Sequence, residues 1–112
     1  MCPDGAPGDR ETMADFALAT MTPQAVVTPA NAEELAQALR EAAEAGHAVV
    51  PWGGGTRQHI GGPPARYDLA LSTAGLARVV AYHPEDLVIT VEAGATLGAV
   101  QAELARHGQW LP

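Results

Sequence analysis

The chain of 112 residues is long enough for one small domain, and 47% of its residues are hydrophobic while only 4% are aromatic. Its formal net charge is −7 and all six basic residues are arginines, which argues against the broad basic surface that nucleic acids and anionic membranes require. An anion could still bind to backbone N–H groups, because these groups do not contribute to the net charge.

The first 22 residues are rich in glycine, proline and acidic side chains. We expect them to form a loose tail, with one helical turn near residues 13–19, before a single folded unit over residues 23–112. The chain has neither a secretory signal nor an apolar run of membrane-spanning length. Since Cys2 is the single cysteine, no disulfide within the chain is expected. The sequence therefore predicts a cytoplasmic protein without membrane insertion.

Beyond the tail, the predicted elements follow in the order β-α-β-loop-β-β-β-α. A first strand covers residues 24–28. The first helix begins after Asn31, whose spacing to Glu34 is that of a capping box. It ends at Gly46, because a glycine in the left-handed conformation commonly closes a helix. A second strand over residues 47–51 leads directly into a glycine-rich segment.

The second half of the chain contains a third short strand over residues 68–71 and a hairpin over residues 78–92. A second helix begins after Thr96 and stops at Gly108. Strands and helices alternate at first, and a hairpin follows. We therefore predict an α+β fold with an α/β-like start, in which two helices accompany a small mixed sheet.

The glycine-rich segment after the second strand is the candidate binding site. It does not match a P-loop, which needs a lysine, or a Rossmann fingerprint, whose third glycine would fall on Gln58. Its bare backbone could form an anion nest with Arg57 at the rim, or it could be a flexible turn. Composition alone leaves these two interpretations evenly balanced. The candidate residues are Pro51, Trp52, Gly53, Gly54, Gly55, Thr56, Arg57 and Gln58.

Catalytic and metal-binding side chains are not predicted. The four histidines lie in different predicted elements, and no two of them have the i,i+4 spacing of a metal site on a helix. Thr56 is the only hydroxyl in the glycine-rich segment, and no His-acid pair accompanies it. Nucleophilic catalysis by the chain's own side chains is therefore not expected.

Four segments together resemble the FAD-binding domain of the vanillyl-alcohol oxidase / p-cresol methylhydroxylase (PCMH) type. They are P-W-G-G-G-T at 51–56, Y-D-L-A-L-S at 67–72, V-E-A-G-A-T-L at 91–97 and G-Q-W-L-P at 108–112. Each is modest alone, but their order and the elements between them are specific. Within this family, the segments are similar above all to those of the FAD-binding subunit of bacterial glycolate oxidase.

This resemblance implies a flavin-dependent oxidoreductase that oxidises a small 2-hydroxy acid to the 2-oxo acid, with the redox chemistry supplied by FAD. It places the flavin pyrophosphate on the backbone of residues 51–58 and adds Pro112 as a further contact. Some relatives attach the flavin covalently through a histidine at the position of Thr56. A threonine cannot form that bond, so the FAD is expected to be non-covalent.

The resemblance also implies a second lobe after Pro112 and then a substrate domain. We therefore expect an N-terminal lobe, truncated at its C-terminus and inactive as an isolated chain. Its partners would be FAD and the missing second lobe or other oxidase subunits. The alternative is a catalytically silent α/β fragment that needs a partner chain to complete any flavin site. A general nucleotide-phosphate module has less support, because the familiar motifs do not match.

Overall fold

Three parallel strands form the central sheet of the protein, whose residues 13–112 are described by a computed structural model. Strands β1 (Ala25–Val27) and β2 (Val49–Trp52) both pair with β3 (Leu69–Ser72), which gives the spatial order β1-β3-β2. All four residues of β3 are buried. Strands of parallel sheets are usually covered on both faces, and the first three residues of β3 are accordingly all apolar, without alternation.

Helix α1 (Ala32–Ala45) begins and ends where the sequence predicts. The Asn31 side chain accepts a hydrogen bond from the Glu34 N–H at 2.9 Å, as an N-cap should. The Glu34 carboxylate accepts from the Ala30 N–H, one residue before the position that a standard capping box uses. Gly46 has φ 71° and closes the helix in the left-handed conformation.

A hairpin and a second helix complete the described chain. Strand β4 (Val79–His83) pairs antiparallel with β5 (Val88–Val91) across a 3₁₀ turn at Pro84–Asp86. Helix α2 (Leu97–Ala105) follows, and its N-cap Thr96 accepts from the Ala99 N–H at 3.1 Å. The predicted α+β class is confirmed, with the parallel and the antiparallel strands in two separate sheets.

The core is small and centres on the end of β2. Trp52, Tyr67 and Ala70 form a buried cluster, and the partly buried side chains packed against it are Phe16, Leu18, Met21, Val26 and Val50. Three of these residues come from the predicted loose tail. The first twelve residues of that tail lie outside the described part of the chain. Residues 13–21 include the predicted helical turn, with the Phe16 N–H donating to the Met13 carbonyl at 3.1 Å, but they are not loose, because three of their apolar side chains pack on the Trp52 cluster.

Among the helices of residues 13–112, none combines the length and the apolar sequence that crossing a bilayer requires.

Candidate functional site

The glycine-rich segment of residues 53–58, here called the glycine loop, leaves the sheet at the carboxyl end of β2. The carboxyl ends of β1 and β3 lie at the same edge because the three strands are parallel. This is the edge at which α/β sheets usually bind ligands. The start of the loop is fixed, since the Trp52 carbonyl accepts from the Thr73 N–H at 2.9 Å and from the Thr73 Oγ1 at 3.1 Å.

The backbone of the glycine loop is open to solvent. A Cβ atom added to Gly53 or Gly54 would meet no heavy atom within 4 Å, and Gly55 has φ 78°. Within the described chain, the amide N–H groups of residues 53–58 donate to no protein acceptor. The loop therefore offers unused backbone donors, and no side chain on the three glycines covers them.

Three polar residues follow the glycines in the loop. Thr56 and Arg57 are exposed. Gln58 donates from its side-chain amide to the Pro51 carbonyl at 3.3 Å, which ties the end of the loop to the strand before it. The loop thus combines, in one short segment, a hydroxyl, a guanidinium and backbone N–H groups without an acceptor in residues 13–112, and these are donor types that can share the charge of an anion.

The structure brings the eight candidate residues 51–58 together, whereas Pro112 belongs to a different segment. The side-chain amide of Gln101 in α2 makes two hydrogen bonds to the backbone of Leu111. It donates to the Leu111 carbonyl at 2.7 Å and accepts from the Leu111 N–H at 2.9 Å. Pro112 itself is exposed. That these nine residues contact a cofactor stays a prediction.

The sequence does not predict the roles of two residues that contact Trp52 at the start of the loop. Thr73 donates to the carbonyl of Trp52, directly before the loop. The hydroxyl of Tyr67 accepts a hydrogen bond from the Trp52 Nε1 at 2.8 Å. Trp52 has an exposed fraction of only 7%, so its indole ring is a core group and only its backbone is available at the loop. No local pattern marks Thr73, although a hydroxyl directly after a parallel strand is well placed to act at this edge.

A cavity of about 370 Å³ lies between the glycine loop and the chain near residue 18. Most of its lining residues are apolar or glycine, and the polar ones are Gln58 and His59. The lining residues are Ala17, Leu18, Ala19, Trp52, Gly55, Gln58, His59, Gly61, Gly62 and Pro63. The loop thus has free space on the side facing residues 17–19.

An ion pair closes the base of the hairpin. Arg78 and Glu92 form a bidentate pair, with Nε to Oε1 at 3.0 Å and Nη2 to Oε2 at 2.8 Å. The Arg78 backbone N–H also donates to Glu92 Oε1 at 2.8 Å. The side-chain hydrogen bonds from Arg78, followed by this backbone bond, lower the pKa of Glu92 from 4.5 to about 2.

The Glu92 pair predicts a specific pH dependence of stability. Because the pKa of Glu92 is lower in the folded chain, the pair stabilises the fold above about pH 4.5, and this contribution is lost as the pH falls towards about 2. We expect Glu92→Gln to be less stable than the parent near neutral pH, with the difference vanishing near pH 2. Urea denaturation midpoints measured across this range test the expectation. The exposed Glu44 supplies a control, Glu44→Gln, for which a similar pH-dependent difference would argue against a special role of the pair.

Three comparisons relate the chain to known proteins. The model of a family described as FAD binding domain matches residues 23–112. The chain is 31% identical over 87 residues to the mitochondrial D-2-hydroxyglutarate dehydrogenase of Bos taurus, which covers 78% of this chain and 16% of that protein. It is 33% identical over 93 residues to the D-2-hydroxyglutarate dehydrogenase of Xanthomonas citri pv. viticola, covering 83% of this chain and 20% of the relative.

A solved structure of similar fold is an alkyldihydroxyacetonephosphate synthase, with a TM-score of 0.66 and 19% sequence identity. The alignment covers 78% of this chain and 18% of that one. At this identity the likeness concerns the fold alone. The chain thus spans only 16% to 20% of the length of the curated relatives.

Proposed function

The chain belongs to the FAD binding domain family, and from this premise we propose that its glycine loop holds the pyrophosphate of a non-covalent FAD. The observation that carries the proposal is the open backbone of residues 53–58, whose N–H groups have no protein acceptor within the described chain. Pyrophosphate is the part of FAD that such donors suit, because several N–H groups can share its negative charge. The exposed Arg57 would add a charge-assisted bond.

The residues present fit this cofactor at the positions that matter most. Gly53 and Gly54 border open space, where a Cβ atom would meet no heavy atom within 4 Å, so a ligand could approach their backbone closely. Thr56 offers a hydroxyl donor but no ring nitrogen, which favours a flavin held without a covalent bond. Thr73 donates to the carbonyl of Trp52, the residue directly before the loop, so the start of the loop is held next to the end of β3.

The proposed reaction class is the oxidation of a small 2-hydroxy acid to the 2-oxo acid. The resemblance to the glycolate oxidase subunit supports this class, and so do two relatives named for D-2-hydroxyglutarate, which is itself a 2-hydroxy acid. When bound, FAD supplies the acceptor for the electrons removed from the substrate. The chain's own residues would bind and orient the cofactor; the substrate contacts belong to other parts of a complete enzyme.

A second candidate is that the chain binds no flavin until a partner polypeptide covers it. The observation favouring this candidate is the exposure of large apolar side chains on the hairpin and near α2. Leu87 is 78% exposed, Leu97 62% and Trp110 72%. Trp110 also lies between Gln109 and Leu111, both held by hydrogen bonds, so it is presented in a fixed position. Such side chains are typical of surfaces that a second polypeptide buries.

Titration of the 112-residue chain with FAD separates the two candidates. We expect weak but saturable quenching of the flavin fluorescence, because the loop is present while much of the cofactor stays in water. ADP should compete with FAD, since it carries the same pyrophosphate, whereas riboflavin, which has no phosphate, should not. No saturable change up to millimolar chain would favour the partner-dependent candidate. Equal competition by riboflavin would contradict a pyrophosphate site.

A further inference from the structure

Residues 13–21, here called the strap, pack on the core cluster around Trp52, the residue directly before the glycine loop. The strap turns back on itself, with hydrogen bonds in both directions between Leu18 and Met21 at 2.8 and 2.9 Å. The ring of Phe16 meets the ring of Trp52 edge-on, with 5.2 Å between centroids and an angle of 81°. Such a pair contributes more than the area that it buries, because edge-to-face geometry suits the two ring quadrupoles.

Tyr67 links the strap to Trp52 by a chain of two hydrogen bonds. The Trp52 Nε1 donates to the Tyr67 Oη at 2.8 Å, and the Tyr67 hydroxyl donates to the Phe16 carbonyl at 2.8 Å. The hydroxyl is thus used both as donor and as acceptor in a largely buried place. Burial raises the pKa of Tyr67, so the hydroxyl keeps its proton and its role as a donor throughout the neutral range.

Trp52 in turn supports the turn of the glycine loop. A Cβ atom on Gly55 would lie only 3.2 Å from Cζ3 of the Trp52 ring, so Gly55 lies beside the indole on the side where a side chain would point. Gly55 is also the residue of this loop with a left-handed backbone, at φ 78°. By contrast, Gly53 and Gly54 have open space where a side chain would be. The ring beneath Gly55 is therefore a principal support of the loop.

We propose that the strap positions the glycine loop for anion binding by holding the Trp52 ring through Phe16 and Tyr67. Phe16 and Tyr67 are positioning residues: they act on the loop through Trp52 and do not touch the ligand. With the strap in place, Phe16 and Tyr67 hold the Trp52 ring, and Gly55 lies beside a ring that does not move. Without it, the ring gains freedom and the loop must be ordered when the ligand binds, which weakens binding. The ligand part of this inference rests on the proposed function.

The test compares Tyr67→Phe and Phe16→Ala with the parent chain and with Leu104→Ala. Leu104 is buried in α2, outside the Trp52 cluster, so its truncation controls for a general loss of stability. The first readout is the ¹⁵N heteronuclear NOE of the Gly53, Gly54 and Gly55 amides without any ligand, which reports fast backbone motion. We expect lower values in both strap variants and parent values in Leu104→Ala.

The second readout is the affinity for FAD, which should fall about tenfold in Phe16→Ala and less in Tyr67→Phe, because the latter keeps the ring packing. Unchanged glycine NOE values in Tyr67→Phe would overturn the proposal, whatever the affinities are. Lower values in Leu104→Ala of the same size would also overturn it. Absence of FAD binding by the parent chain would instead refute the proposed function, and the ligand-free NOE values would still decide whether the strap orders the loop.

Discussion

Replacing Gly94 by alanine should unfold the chain or lower its free energy of unfolding by about 3 kcal/mol or more. The reason is the closeness of two backbone carbonyls. A Cβ atom at Gly94 would lie 1.7 Å from the Thr73 oxygen and 2.7 Å from the Leu76 oxygen. Neither oxygen belongs to a side chain that can rotate away, and the Gly94 N–H already donates to Leu76 at 2.7 Å. The segment after β5 would have to leave the turn after β3.

Gly98 offers a matched control in the same part of the chain. It lies in α2, and a Cβ atom there would meet nothing within 4 Å. Gly98→Ala should therefore raise the free energy of unfolding by about 0.5 kcal/mol, since alanine loses less backbone entropy in a helix. Urea denaturation followed by circular dichroism measures both variants. A Gly94→Ala variant as stable as the parent would refute the close approach of these two segments.

Replacing Gly54 by valine should abolish FAD binding while leaving the fold intact. No heavy atom lies within 4 Å of a Cβ at Gly54, and the backbone there is not left-handed, so we expect the chain to accept the side chain. The same side chain would occupy the space through which a pyrophosphate reaches the N–H groups of the loop. Loss of several hydrogen bonds to a charged ligand corresponds to at least about a hundredfold weaker binding.

Gly62→Val is the control for this second substitution. Gly62 is equally open but lies beyond the glycine loop. Flavin fluorescence titrations of both variants, with circular dichroism to verify folding, give the comparison. Parent affinity in Gly54→Val would show that the loop is not the cradle. An equal loss in both variants would point to the cavity beside residues 61–63 as the binding surface.

The local features of this fold could be predicted because local residues determine them. Asn31 and Gly46 mark the ends of α1 by interactions within one turn of the helix, and glycine and proline mark the ends of strands in the same way. The order of the elements follows from these signals. The glycine loop could also be identified from the sequence. Ordering three consecutive glycines costs much backbone conformational entropy, so their presence after a strand indicates a function.

The position of Trp52 shows what local patterns miss. Its indole ring is buried because Tyr67 and Phe16, which are distant in sequence, supply a hydrogen-bond chain and an edge-on ring. A strap that packs on the core looks like a tail in sequence, since its few apolar residues have no regular period. The parallel and the antiparallel strands lie in two separate sheets. This division depends on pairing between distant segments, and the alternation of apolar and polar residues within one strand does not predict it.

The central position of β3 has a consequence for how the chain acquires its structure. β1 and β2 each pair with β3, and Ala25 and Val49 both meet Leu69 in register. The last of the three strands to be synthesised is thus the one that the other two require. Neither edge strand has a pairing partner in this sheet until Ser72 has left the ribosome. Formation of the sheet, and with it the hydrogen bonds between Trp52 and Thr73, therefore has to wait until β3 has been synthesised.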